Sequence, residues 1–410
     1  MRCVRDDVQR LSTLLCDYIQ PLGMLVRDGP LRAMRELTAG IVFTGSVQLS
    51  NAARLQARSA GQLRDEVKRL SLHLADRHWD HHEWAAAVLQ HLANAVADDD
   101  LIPIDGTELA KPYARRMQYI TTIRDASRVD DPLVNGYWCF GVYHWQPQHD
   151  CLTPLMLRPW STRQPLFRSE NDLMDRWFWT LRQATAGRGV WLLDRGGDRP
   201  EVLASLLRCQ PRWIVRLRED RPLIGPDGSR QPAGHWADWA LAHGPHRGQA
   251  ATVPVYLPVE TVPQPEGRRK LWLLVPTYTF TRNGKPDRWV LLTCGCIDQH
   301  AGPRQIRHEF ALRWRAEDAK RLLGQIWHVE RFLTRSFLAL ERLLWCVCLA
   351  GGFVAMLRRD QPALTEELDK EVLYWDKDEP VKVPGYRTAR GIQAAALRTR
   401  TLPMPVLNNA

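Results

Sequence analysis

The chain has 410 residues, of which 45% are hydrophobic and 25% are charged, as in an ordinary globular protein. No apolar stretch is predicted to cross a membrane, and the charged N-terminus lacks the apolar segment of a signal peptide, so we expect a cytoplasmic protein with no membrane partner. The net charge of +10 is compatible with nucleic-acid binding but does not establish it.

Residues 1–97 are predicted to form a helical N-terminal domain, because no strand-like alternation interrupts their helical pattern; we assign DNA binding to this domain on the resemblance of residues 31–55 to a helix-turn-helix. Within this domain, one helix is followed by Gly45 and by a second helix that carries Ser50, Asn51 and Arg54. This order resembles a helix-turn-helix, whose second helix contacts DNA. An ordinary helical hairpin explains the same pattern equally well.

Two short apolar runs, residues 101–105 and 190–194, each end in an aspartate that is followed by turn residues. Runs of this kind bounded by glycine are typical of buried strands. Open α/β sheets place their chemistry at the carboxyl ends of strands, where Asp105 and Asp194 are predicted to lie. If the two strands are neighbours, the carboxylates converge and could hold a divalent cation.

The order of elements in residues 98–220 predicts a mixed three-layer α/β domain. Ser169 and the acidic residues after it are typical of a helix N-terminus. The predicted elements are strands 101–105, 116–124 and 137–145, a helix from Ser169 to about residue 186, strand 190–194, a helix over 199–209, and strand 213–218.

Residues 221–299 break this alternation. The segment is rich in Pro and Gly and contains several strand-like runs, so we predict an all-β insertion. Helical patterns return in residues 300–360, the predicted second part of the α/β domain, which includes a buried apolar helix. Residues 361–410 form a polar C-terminal tail punctuated by proline, which we expect to be only partly ordered.

A third acid is predicted in the helical segment that begins near Pro303. Phe310, Arg313, Glu317 and Gly324 follow one another at intervals of 3, 4 and 7 residues, which keep them on one face of a helix. Glu317 could then reach the aspartate strands if the helix packs across the sheet. Arg313 would hold the Glu317 rotamer or a phosphate with its fork of donors.

Asp105, Asp194 and Glu317 resemble the triad of DDE transposases with a ribonuclease H-like core. The residues from Phe310 to Glu317 resemble the Tyr-x2-Arg-x3-Glu-x6-Lys signature of the insertion-sequence-four group of these enzymes. The resemblance covers about residues 100–335, and several motifs agree in order and spacing. It implies an α/β fold: a ribonuclease H-like mixed-sheet catalytic core, interrupted by the all-β insertion and preceded by the helical N-terminal domain.

Trp289 strengthens this resemblance. The run 289–293 is similar to the tryptophan-bearing strand of the group's insertion, and Trp289 precedes Phe310 by 21 positions, a spacing that the group shares. The resemblance implies that Trp289 stacks on a base flipped out during hairpin formation. A tryptophan in the core of the insertion is the competing interpretation.

The signature differs at two positions. Phe310 stands in place of the tyrosine, and Gly324 stands in place of the lysine. Lys320 and Arg321, one turn after Glu317, could contact the same phosphate. Glycine inside a helix costs about 1 kcal/mol relative to alanine, so we expect another group to approach Gly324 closely. These departures concern activity more than ancestry.

By resemblance, Asp105, Asp194 and Glu317 would hold two Mg²⁺ or Mn²⁺ ions around one phosphodiester, because oxygen ligands favour these metals. The DNA contacts would come from Arg313, Phe310, Trp289, Lys320 and Arg321. The partners would be double-stranded DNA, as terminal inverted repeats and target, and a second copy of the chain on paired ends. The expected location is the bacterial cytoplasm, in association with the nucleoid.

Two other functions remain open from the sequence. One is a catalytically inactive DNA-binding protein derived from a transposase, which the changes at Phe310 and Gly324 favour. The other is a ribonuclease H-like nuclease that cleaves without strand transfer. The DNA products distinguish these alternatives, since only a transposase gives hairpin ends and joined target.

Overall fold

The computed structural model describes residues 4–24, 28–126, 130, 132–210, 212–244, 246–247, 250–262, 269–277, 280–282, 285–294, 302–375 and 384–399. The chain divides into two compact units. The first unit comprises Met1–Ala95, Gly106–Phe167 and Glu317–Ala410, and the second comprises Val96–Asp105 and Arg168–Ala316.

The helices are numbered in chain order over the described residues. They are α1 (Val4–Ile19), α2 (Asp28–Thr44), α3 (Leu49–Arg54), α4 (Ala60–Ala75), α5 (His81–Ala93), α6 (Glu170–Thr185), α7 (Pro200–Cys209), α8 (Ala233–His243), α9 (Pro303–Ala311), α10 (Arg315–Arg321), α11 (Phe337–Asp360), α12 (Pro362–Trp375) and α13 (Pro384–Thr399).

The strands are numbered in the same way. They are β1 (Leu101–Ala110), β2 (Thr121–Arg124), β3 (Leu133–Gln146), β4 (Cys151–Trp160), β5 (Val190–Leu193), β6 (Trp213–Arg216), β7 (Pro222–Ile224), β8 (Arg230–Pro232), β9 (His246–Arg247), β10 (Ala250–Val255), β11 (Leu271–Pro276), β12 (Phe280–Arg282), β13 (Lys285–Asp287) and β14 (Leu291–Thr293). The short pairs β7–β8 and β12–β13 form separate two-stranded sheets.

The first unit is organised around α11. This helix is long and apolar enough to cross a membrane by length and composition, but 89% of its apolar window is buried inside the protein, as in the predicted core helix. Arg342 of α11 is fully buried and donates to the carbonyl oxygens of Leu74, Asp76 and Trp79. Burial lowers the pKa of Arg342 to about 10. The guanidinium therefore donates to carbonyl groups in the last turn of α4 and in the segment that follows it.

The strands of the first unit surround β3, which neighbours β1, β2 and β4. The antiparallel pair of β3 and β4 includes a strand that the sequence did not predict. β4 contains Pro154 and Pro159, and proline within an apolar run argues against a central strand. The predicted strand over 116–124 is shorter in the structure, where only Thr121–Arg124 forms β2.

The second unit contains the parallel strands β1, β5 and β6. β14 continues this sheet antiparallel to β6, and β11 and β10 follow in antiparallel order. Helices α6 and α7 pack against each other. The predicted N-terminus of α6 is confirmed, because Ser169 Oγ accepts the backbone N–H of Asp172 at 3.1 Å. The fold is therefore a mixed α/β architecture with a mixed sheet.

The predicted all-β insertion over 221–299 is wrong in two respects. The segment contains a helix, α8, whose Trp236, Ala237 and Ala240 are buried. Its strands also extend the sheet of the second unit, because Leu292 of β14 pairs with Val215 of β6. The apolar residues of α8 form only a short helical pattern, and Pro and Gly residues lie on either side of it. The sequence pattern therefore did not predict this helix.

The C-terminal tail is more ordered than predicted over its described residues, which form α12 and α13. Asp369 of α12 accepts Arg358 Nη1 at 3.2 Å and Thr388 Oγ1 at 2.9 Å. Thr388 of α13 is fully buried, and α13 packs against α1 and α2. The apolar residues of α13 are spaced by helical intervals, and their burial holds the tail on the first unit.

Candidate active site

Asp105 and Asp194 lie at adjacent positions of two neighbouring parallel strands. Ile104 of β1 pairs with Leu193 of β5; Asp105 is the next residue of β1, and Asp194 is the first residue after β5. Asp194 keeps an extended backbone, with φ of −81° and ψ of −164°. Paired strands lie about 4.8 Å apart and residues in register point to the same face, so this register places the two aspartates on one face of the sheet.

The position of Asp105 within its strand differs from the prediction. The sequence placed Asp105 at the end of a strand, but β1 continues to Ala110. The Asp-Gly pair is typical of a turn. Most residues after Asp105 are also half-buried, unlike the fully buried apolar run before it. These two features explain why the predicted strand ended at Asp105. The carboxylate therefore lies where the shorter β5 ends rather than where β1 ends.

The loop that carries Asp194 is fixed by two carboxylates. Asp194 Oδ1 accepts the backbone N–H of Gly196 at 2.7 Å, so it caps the single turn Arg195–Gly197. Asp198, fully buried, accepts Arg221 Nε at 2.5 Å and the backbone N–H of Arg218 at 2.7 Å. Asp198 was not among the predicted site residues, although the Asp-Arg-Gly-Gly-Asp pattern contains it. Asp198 positions the loop, and Asp194 presents its second oxygen at the loop's start.

Arg313 lies beside Asp105. Its Nη1 is 3.5 Å from Asp105 Oδ2, and the two side chains are 21% and 14% exposed. The same Nη1 is buried and has no hydrogen-bond partner among the described residues. Arg313 was predicted to contact Glu317 or a phosphate, but in the structure its ion-pair partner is Asp105. A buried donor without a hydrogen bond is a costly arrangement, and a phosphate oxygen would satisfy it.

Trp289 and Phe310 are in contact. Their rings meet edge to face with centroids 5.1 Å apart, within the favourable range for aromatic pairs. Phe310 is 3% exposed, so its ring has almost no surface for the predicted DNA contact and packs against Trp289 instead. Trp289 is half-buried and precedes β14 rather than lying within it. One part of the indole is therefore held by Phe310 and another part reaches the surface.

Glu317 belongs to the first unit, and its side chain is more exposed than that of Asp105. It lies in the first turn of α10, is 53% exposed, and accepts Lys320 Nζ at 3.2 Å. A 3-10 turn, Leu312–Trp314, separates α9 from α10, so the segment is not the single regular helix that the sequence predicted. Arg321 is exposed at the end of α10. Lys320, predicted to contact DNA, here neutralises the candidate third carboxylate.

Gly324 lies in a π-helical segment, Leu322–Ile326. A Cβ added at Gly324 would meet open space. The predicted close approach of another group at this glycine is therefore wrong. π-helical turns occur frequently at functional sites because they shift side chains relative to a regular helix.

The donor set at the aspartates suits a hard divalent cation. Asp105 and Asp194 offer carboxylate oxygens from adjacent strand positions, and Mg²⁺ is usually bound by one or two carboxylates together with phosphate and water. Within the described ranges, no group of three or more His, Cys, Asp or Glu side chains could hold a metal ion. The two aspartates thus fit a metal that the substrate helps to bind.

No family model and no curated protein matches the chain. Seven chains of solved structures match it. One is described as "Cryo-EM structure of piggyBac transposase synaptic complex with hairpin DNA (SNHP)"; it has a TM-score of 0.46 and 10% sequence identity, over 97% of this chain and 80% of that chain. This likeness is one of coarse architecture and identifies no residue of this chain as catalytic.

Proposed function

We propose that this chain is a metal-dependent DNA transposase that cuts and joins phosphodiesters at the ends of an insertion sequence. The observation that carries the proposal is the pair Asp105 and Asp194 on adjacent strand positions, with Arg313 Nη1 3.5 Å from Asp105 Oδ2. Two carboxylates beside a guanidinium suit a divalent cation and a phosphate bound together. The resemblance of the Trp289 and Glu317 motifs directs this chemistry toward DNA.

Each side chain has a distinct part in the proposal. Asp105 and Asp194 would hold metal through oxygen atoms, and Glu317 is the third carboxylate by its motif. Two bound Mg²⁺ or Mn²⁺ ions would activate the attacking hydroxyl and stabilise the leaving oxygen. Arg313 would leave Asp105 and donate to a non-bridging phosphate oxygen, since its buried Nη1 has a donor to spare among the described residues.

Trp289 would bind a base. Its ring is half-buried and braced edge to face by Phe310, so stacking would not require the indole to be ordered first. Base stacking on an aromatic side chain contributes about 1–3 kcal/mol. In this assignment Phe310 supports the stacking residue and does not touch DNA. The expected substrate is double-stranded DNA with terminal inverted repeats, bound by two copies of the chain.

The test requires the DNA that flanks the coding region. Duplexes carrying any inverted repeats found there are incubated with protein and Mg²⁺, and the products are separated under denaturing conditions. We expect hairpin ends and, with added target, joined products. Asp194→Asn should reduce cleavage roughly a thousandfold or more without weakening DNA binding, because the amide oxygen can still accept from Gly196. Asp220→Asn, at an exposed position, is the matched control.

Two results would reject the proposal. Equal cleavage by the native chain and by Asp194→Asn would place the reaction elsewhere or in a contaminant. Nicked DNA without hairpins or joined target would indicate the ribonuclease H-like nuclease instead.

A catalytically inactive DNA-binding protein is the second candidate. Two observations favour it: Glu317 is paired with Lys320, and the described residues contain no group of three metal-binding side chains. This candidate predicts specific binding to the terminal repeats with no product in Mg²⁺ or Mn²⁺. Restoring the signature lysine with Gly324→Lys, for which a Cβ has open space, would then test whether the lost lysine accounts for inactivity.

A further inference from the structure

A large cavity lies within the first unit. Its volume is about 800 Å³, at the upper end of the range of small-molecule sites. Three segments line it: the turn between α2 and α3, the π-helical segment with the turn after it, and α13. The lining residues are Thr44, Gly45, Ser46, Gln48, Asn51, Gln325, Ile326, His328, Arg331, Val372, Arg390, Gln393, Ala394, Leu397 and Arg398.

The charged side chains in the described lining of this cavity are all positive. Arg331, Arg390 and Arg398 line it, and no aspartate or glutamate belongs to its described lining. Burial, followed by the positive charge of Arg331, lowers the pKa of His328, and Arg390 contributes in the same direction. Three guanidinium groups without a carboxylate in the lining make a site for a ligand with several negative charges.

Amide groups add hydrogen-bonding capacity. The lining includes Gln48, Asn51, Gln325 and Gln393, and Gln393 Nε2 is buried with no hydrogen-bond partner among the described residues. Amide and guanidinium donors together are the groups that contact phosphate and sugar oxygens in nucleic-acid complexes. The cavity therefore offers donors that a phosphodiester backbone would satisfy.

The backbone of the lining is held in uncommon conformations. Gly45 has a φ of +65°, and a Cβ there would lie 2.8 Å from the Gln393 amide, so the turn needs glycine. His328 has a φ of +49°, in the left-handed region that non-glycine residues adopt infrequently. Such conformations persist where the surrounding structure fixes them, often at ligand sites. The fold therefore fixes the backbone conformation of this part of the cavity wall.

We propose that this cavity binds the sugar-phosphate backbone of a DNA strand through Arg331, Arg390 and Arg398. The identity of the nucleic acid as DNA rests on the proposed function. The helix-turn-helix prediction assigned DNA contact to Ser50, Asn51 and Arg54, but α3 has only six residues. Gln48 of the turn and Asn51 of α3 both belong to the cavity, so the proposed contact includes the turn and the start of α3 together with the C-terminal helix.

The number of donors favours a strand over a single phosphate group. Arg331, Arg390 and Arg398 each carry several N–H donors, and the lining adds the amide side chains of Gln48, Asn51, Gln325 and Gln393. One phosphate group has too few oxygen atoms to accept from all of these donors. A strand presents several phosphate groups and so offers an acceptor to each guanidinium. The net charge of +10 also favours binding of a polyanion.

The test measures DNA binding by fluorescence anisotropy at several salt concentrations, with a labelled duplex of the element's end and a labelled duplex of unrelated sequence. The double variant Arg331→Gln/Arg390→Gln should weaken binding to both duplexes by roughly tenfold or more. The dependence of log affinity on log salt should become shallower by about 1.8, which corresponds to two phosphate contacts on duplex DNA. Arg64→Gln, at an exposed position of α4, is the matched control.

A second pair of variants distinguishes loss of DNA binding from loss of folding. Ala394→Glu places a carboxylate in the cavity without removing an arginine, and should weaken binding, whereas Arg331→Lys should keep most of the affinity. Native affinity and an unchanged salt slope in both Ala394→Glu and the double variant would overturn the proposal. Binding of a nucleoside monophosphate that these variants abolish, with DNA affinity unchanged, would also overturn it in favour of a nucleotide site.

Failure of this proposal is distinguishable from failure of the proposed function. If the cavity variants bind DNA normally while Asp194→Asn loses cleavage, the cavity assignment is wrong and the transposase proposal stands. If the cavity variants lose DNA binding but the native chain never cleaves DNA, the cavity assignment stands and catalysis does not.

Discussion

The segments around Asp194 and Glu317 carry two of the predicted catalytic carboxylates in opposite environments. Asp194 begins a loop whose far end is fixed by Asp198, which is fully buried and bonded to Arg221. Glu317 lies at the surface of α10, is 53% exposed, and has Lys320 as its ion-pair partner. One carboxylate is therefore placed by a buried network, and the other by a pair that solvent screens.

This difference indicates how the candidate site would be assembled. A buried network holds a side chain in one geometry before any ligand arrives, which favours catalysis by positioning. A surface ion pair contributes little and exchanges readily with water. We infer that the aspartates form the preorganised part of the site, whereas Glu317 must give up Lys320 before it can bind metal.

The largest expected effect is on the buried network. Asp198→Ala removes the partner of Arg221, whose side chain is 12% exposed, and leaves a nearly buried charge without compensation. We expect a loss of about 3–5 kcal/mol in the free energy of unfolding, measured by urea denaturation. Asp220→Ala, at an exposed position two residues after Arg218, should change stability by less than about 0.5 kcal/mol. A small effect of Asp198→Ala would remove the basis for calling this loop preorganised.

A smaller effect is expected at Asp194 itself. Asp194→Ala removes the acceptor for the Gly196 N–H and should lower stability by about 1 kcal/mol, as loss of a cap does. Asp194→Asn keeps an acceptor oxygen and should be close to native in stability while it lacks the metal-binding charge. The measurement is the unfolding midpoint of both variants against the native chain. Equal destabilisation by Ala and Asn would show that the charge, and not the cap, stabilises the loop.

The sequence predicted the parts of this region that depend on local patterns. The apolar runs before Asp105 and Asp194 are the paired strands β1 and β5, and the Ser169 cap begins α6 as expected. Buried strands and caps are encoded within a few residues, so a single chain reveals them. The resemblance of motifs directed attention to Glu317 and Trp289 but could not supply their surroundings.

Features that depend on distant residues were missed. Asp198 matters because Arg218 and Arg221 fold back onto it, and no local pattern records that contact. The β4 strand tolerates Pro154 and Pro159 because, among the described strands, it pairs with β3 alone and is an edge strand, where the missing N–H of proline can face away from the partner. The arginines of the cavity likewise lie more than 250 residues along the chain from the turn after α2. Long-range packing decides each of these, and spacing along the chain cannot.

The smallest expected effect concerns the surface pair. The pair of Glu317 and Lys320 spans three positions of α10, and such pairs contribute about 0.2–0.5 kcal/mol. A double-mutant cycle with Glu317→Gln and Lys320→Gln should give a coupling energy of that size, decreasing at high salt because exposed charges are screened. If the proposed cleavage activity is found, Lys320→Gln should free Glu317 and lower the Mg²⁺ concentration needed for half-maximal cleavage, whereas Glu317→Gln should abolish cleavage. A coupling energy above about 2 kcal/mol would contradict the inferred difference between the two carboxylates, because Glu317 would then be held as firmly as the Asp194 loop.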